Sequence, residues 1–174
     1  MHFLTLSLIT SFLSLFSVYV MAQTEPSLPD HKQPVTIQSD TLKASDKAGK
    51  SVYEGNVIVA QGSLTIKGQK IVVLHPSGEL NQAITTGEPA SFKRQNQTDH
   101  SWIEGQADTI EYNTKAKTIR LIGNAQVKQP GKHEINGSIL FYDLEKQLLE
   151  AQKSSDKDKR VSVTFTPNTS SNSE

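Results

Sequence analysis

Apolar and polar residues alternate with a period of two along most of this chain. Val57 and Val59 share a side, as do Leu64 and Ile66, and Ile119 and Leu121. Ile110 and Tyr112 oppose Thr109, Glu111 and Asn113, and Val161, Val163 and Phe165 oppose Ser162, Thr164 and Thr166. Such alternation puts successive side chains on opposite faces of a β-strand. β-Branched residues are dense in these runs, which suits pleated surfaces. The segment Leu144–Lys153 (LEKQLLEAQK) has a helix-favouring composition but is short, and it reads as turn plus strand. Turn signals separate the runs at Lys47–Lys50, Pro76–Gly78, Gly87–Pro89 and Pro130–Lys132. The sequence therefore predicts an all-β protein, a meander of antiparallel hairpins.

The strands repeat. Ser39–Gln61 (SDTLKASDKAGKSVYEGNVIVAQ) aligns without a gap on Ala107–Gln129 (ADTIEYNTKAKTIRLIGNAQVKQ). Asp40 matches Asp108, Lys47 matches Lys115, and Gly55-Asn56 matches Gly123-Asn124. Glu104-Gly105 is a weaker third copy of the glycine element. Repeats imply similar units stacked in a line, each burying its apolar face against the next. A linear stack has two ends, whose outer strands carry backbone groups free to accept another strand. Gly55-Asn56 lies within an apolar run that continues through Val57, so it reads as a bend that folds one long strand over a groove.

Composition narrows the function classes. Eighteen basic residues balance eighteen acidic ones, so there is no basic excess to meet nucleic acid. Only 35% of residues are hydrophobic, which suits a thin slab of sheet. There is no cysteine, so disulfides, thiol nucleophiles and cysteine-based zinc sites are excluded. His31, His75, His100 and His133 show no metal-ligand spacing, and no nucleophile elbow or phosphate-cradling loop occurs. Glu104 with Asp108, or Asp40 with Glu54, reads as solvated strand faces rather than a catalytic pair, and neither a cofactor nor catalysis is expected.

Residues 1–22 read as an export signal: an uncharged stretch Phe3–Val20, then Met21-Ala22 before a new terminus at Gln23. The same stretch reaches the lower limit of a membrane span, so a retained anchor is the alternative. Either way the body lies outside the cytoplasm. Residues 23–33 read as a flexible lead, 34–167 as one domain, and 168–174 as a disordered tail.

With these features in hand, the chain resembles the OstA-like superfamily of periplasmic lipopolysaccharide-transport proteins. The matching runs are Pro34–Asp40 (PVTIQSD), Tyr53–Gly62 (YEGNVIVAQG), Pro89–Phe92 (PASF), Glu104-Gly105, Leu121–Ala125 (LIGNA) and Lys159–Val161 (KRV). The resemblance spans nearly all of the chain beyond the signal. It implies an antiparallel β-jelly-roll slab, open at both ends, with an apolar interior for lipid A. It implies lipid contacts at Val35, Ile37, Phe92 and Tyr112; where members carry a leucine near the tyrosine, this chain has Thr114. It also implies docking through edge strands. Val35, Thr36 and Ile37 would form the amino-terminal edge, facing the inner-membrane partner LptC. Val161, Val163 and Phe165 would form the carboxyl-terminal edge, facing the outer-membrane partner LptD, and copies would join head to tail. A membrane-anchored LptC-like subunit and a jelly-roll hydrolase or sugar-binding enzyme are the competing readings.

Overall fold

The structure, a computed structural model, describes residues 28–96, 98–152 and 160–166. The expected export signal and carboxyl-terminal tail lie outside them. Ten strands form one antiparallel sheet: β1 (Thr36–Gln38), β2 (Thr41–Ser45), β3 (Lys50–Gln61), β4 (Leu64–Leu74), β5 (Gln82–Gln95), β6 (Trp102–Asn113), β7 (Thr118–Gln129), β8 (His133–Asp143), β9 (Leu148–Gln152) and β10 (Ser162–Phe165). The order is that of the chain, a meander, except at its two edges. There β1 and β2 pair with successive parts of β3, and β9 and β10 pair with successive parts of β8. Leu144–Gln147 turns and Leu148–Gln152 forms a strand, so the helix-favouring composition yields to pairing with β8.

The sheet is folded in half. Pairing slips between Glu54 and Val57 in β3, Lys67 and Lys70 in β4, Thr86 and Ala90 in β5, Gln106 and Thr109 in β6, and Ile122 and Ala125 in β7. These irregularities line up as a crease across the sheet. Bulges bend a strand and add an unpaired residue. In β4, β5 and β6 the buried positions change parity at the crease: Leu64 and Ile66 give way to Ile71 and Val73, Ala83 and Thr85 to Ala90 and Phe92, and Ala107 to Ile110. That added residue keeps the apolar side chains of both halves on the inside. The result is a slab of two facing layers, closed along the crease and ended by the β1/β2 edge and the β9/β10 edge.

The internal repeat is this crease. Gly55 and Gly123 adopt positive φ of 82° and 78°, where side chains are strained. A Cβ on either would collide with the carboxylate of Asp40 or Asp108. Asn56 then donates to the Asp40 carboxylate at 2.9 Å, and Asn124 to that of Asp108 at 3.1 Å. The matched Asp, Gly and Asn are thus one clamp used twice.

Two expectations change. Gly87–Pro89 does not separate strands but lies at the crease inside β5, because the flanking residues on both sides stay paired with β6. Gly105, the weaker copy of the glycine element, lies away from the crease: it pairs in register with Phe92, whose ring occupies the space a side chain would need. Over Leu28–Gln33, the end of the expected lead packs against the slab. Asp30–Lys32 forms a 3-10 turn, and the Asp30 carboxylate accepts from the Ser63 amide and hydroxyl at 2.8 and 2.5 Å.

Candidate functional site

Cross-strand pairing arranges the interior into apolar rows that run from one edge of the slab to the other. In the first layer the row is Ile37, Val59, Ile66, Phe92, Gly105, Val127, Ile135 and Val163. In the second it is Leu42, Tyr53, Ile71, Thr85, Ile110, Leu121, Leu140 and Ala151. A neighbouring row in the second layer carries Ala83, Tyr112, Ile119, Tyr142 and Leu149. Period-two alternation makes each row, since directly paired residues share a face.

The expected lipid contacts belong to this interior. Phe92 and Tyr112 are buried in the core, and Val35 and Ile37 pack against it half-buried. Thr36 points out and is exposed. Phe92 and Ile37 lie in the first layer and Tyr112 in the second, so the fold sets them on facing walls. Thr114, by contrast, sits in the turn after β6 and donates to the Leu80 carbonyl at 2.5 Å. The outer face is polar: Glu104 bridges Lys93 at 2.9 Å and Lys128 at 3.3 Å. The hydrogen bond from Lys93 holds the Glu104 carboxyl below its ordinary range.

Opposite the crease, the free margins of the two layers meet in a seam. Tyr112 Oη donates to Gln61 Oε1 at 2.5 Å, Arg94 Nη1 to the Leu144 carbonyl at 3.2 Å, and Gln147 Nε2 to Thr98 Oγ1 at 3.2 Å. Burial pushes the Tyr112 phenol up to about 12, with the Arg94 cation pulling the other way. A cavity of about 110 Å³ opens here, lined by Arg94, Tyr112, Gln61 and residues of the 3-10 turn. Sequence reading missed Arg94 because it stands between Lys93 and Gln95 as one more polar residue, with no motif. Its one signal was parity, since it alternates with Ala90 and Phe92.

The edges carry exposed apolar side chains. Leu42 is 54% exposed on β2, Val163 47% and Phe165 75% on β10, and Val161 precedes that strand half-exposed. They are the ends of the interior rows, or neighbours of those ends, left bare where pairing stops.

This architecture has relatives. The family described as "LptA/(LptD N-terminal domain) LPS transport protein" matches residues 36–148. The chain belongs to that family. The lipopolysaccharide export system protein LptA of Escherichia coli K12 is 34% identical over 140 residues, 79% of this chain and 74% of the relative. The corresponding LptH of Pseudomonas aeruginosa is 30% identical over 132 residues, 75% of this chain and 74% of the relative. The crystal structure of P. aeruginosa LptH, there called the LptA-homologous periplasmic component of the lipopolysaccharide transport device, superposes with a TM-score of 0.73. It is 26% identical, and the match covers 79% of this chain and 99% of that one. The all-β, open, OstA-like slab expected from the sequence is the fold observed. The relatives bear the names LptA and LptH, and the LptC-like alternative finds no support among them.

Proposed function

We propose that this chain is a periplasmic, non-catalytic carrier that holds the acyl chains of lipopolysaccharide between its two layers and passes them from edge to edge. The observation that carries the reading is the apolar row from Ile37 to Val163, which crosses the whole sheet, the Phe92 ring covering the position of Gly105. Family membership names the cargo. Acyl chains crossing an aqueous space gain roughly 0.8 kcal/mol for each methylene removed from water. Residues along one row offer chemically similar seats, so lipid moves between them without a deep trap, and the driving force comes from elsewhere.

Entry requires the layers to part. The crease is covalent and clamped, whereas the seam is held by a few side-chain bonds, so the seam is where the slab opens. Val35, Ile37, Phe92 and Tyr112 would then line the cargo. The bare edges extend the row by strand addition, with Val35, Thr36 and Ile37 meeting LptC and Val161, Val163 and Phe165 meeting LptD. The same two edges would join copies head to tail. Edge strands with exposed apolar residues are suited to such pairing.

A photo-reactive residue placed at Ile37, Phe92 or Tyr112 should crosslink lipopolysaccharide, while one at outward Thr36 or Glu111 should not. Equal labelling of both faces overturns the groove.

A further inference from the structure

Arg94 is 3% exposed at the seam, yet no carboxylate lies within ion-pair distance of it among the described residues. Burying an unpaired cation is costly, and buried charges are ordinarily compensated by an opposite charge. Arg94 has only partial compensation. Nη1 reaches the Leu144 carbonyl at 3.2 Å, and the guanidinium lies 5.6 Å from the Tyr142 ring centroid. Its Nε is buried with no hydrogen-bond partner, and so is the hydroxyl of Tyr142. Two donors are therefore unsatisfied on neighbouring side chains, and Arg94 lines the seam cavity. Two carboxylates also line that cavity, Asp30 and Glu145, but each is engaged elsewhere. Asp30 accepts from Ser63 and Glu145 from Lys117. Parting the seam would also break the bond to Leu144 and free a second donor of the guanidinium.

The geometry points to Arg94 as the seat of an anion carried by the cargo: a phosphate monoester on the headgroup of an acylated lipid. Acyl chains would lie along the rows toward the crease, and the phosphate would stay at the seam, where Arg94 and Tyr142 offer it hydrogen bonds. The planar fork of an arginine matches phosphate oxygens in a way a lysine does not. This inference rests on the carrier reading above and adds to it the group that sets the orientation of the lipid.

The test compares phosphorylated lipid A with the same lipid stripped of phosphate, by displacement of a fluorescent fatty acid from the purified protein. The wild-type protein should bind the phosphorylated lipid about tenfold more tightly, the scale of charge-assisted hydrogen bonds. Arg94→Gln should remove that preference, so that the variant binds the two lipids with equal affinity, and Arg94→Lys should keep part of it. Equal affinity of the wild-type protein for the two lipids overturns the phosphate seat while the carrier reading stands. A preference that survives in Arg94→Gln also overturns it. Inorganic phosphate binding as tightly as the lipid overturns the assignment to a lipid-borne group. If the wild-type protein binds neither lipid, the carrier reading falls with it. The comparison of lipids on the wild-type protein is independent of how any variant folds.

Discussion

Gly123→Ala isolates the contribution of the crease to the fold. Two terms add. A side chain at a φ of 78° costs about 1–2 kcal/mol from backbone strain. The new Cβ also meets the Asp108 carboxylate and displaces it from Asn124, removing hydrogen bonds whose net worth is ~1 kcal/mol at an exposed site. Gly131→Ala is the matched control. Its φ is 76°, but nothing lies within 4 Å of the added Cβ, so it carries the first term alone. Urea unfolding followed by Trp102 fluorescence and by circular dichroism should show Gly123→Ala less stable than Gly131→Ala by ~1 kcal/mol. Combining Gly123→Ala with Asp108→Ala should cost less than the sum of the two single changes, because the collision partner is gone. If Gly123→Ala is no worse than Gly131→Ala, the clamp does not hold the crease, and strand pairing alone shapes the slab.

The alkaline limit of stability should follow Tyr112. Its phenol stays protonated in the folded protein up to about 12 but ionises near its ordinary value when unfolded. Stability is thus fully present below the ordinary phenolic range and falls as pH rises toward 12, by ~2–3 kcal/mol; urea titrations of the wild-type protein and Tyr112→Phe should show the fall reduced in the variant. Phe165→Asp should weaken the proposed head-to-tail association at least severalfold by sedimentation velocity, since it places a charge on a bare apolar edge, while changing the unfolding free energy by less than about 0.5 kcal/mol. Unchanged association would remove β10 from the docking surface.

Strand type, inward side, repeat and free edges were all legible in the chain, because each depends on residues a few positions apart. Ile110 and Tyr112 alternate with Glu111 whatever lies opposite, and Gly55-Asn56 marks a bend by its own backbone preference. The resemblance to a known family added the slab and its cargo. What no local pattern could state is which inward faces meet. The parity change in β4, β5 and β6 depends on bulges that appear only when neighbouring strands pair. Gly105 reads in isolation as a weak copy of the glycine element and becomes a seat for Phe92 only across the sheet. Asp30 sits in a lead that looks unstructured until Ser63 is brought beneath it. Arg94 reads as one more charge after Lys93, and only the folding of one half-sheet onto the other buries it beside Tyr142. Alternation is a property of a single strand and is written in its residues. Burial is a property of two layers, and the crease that brings them together is made by strands acting jointly.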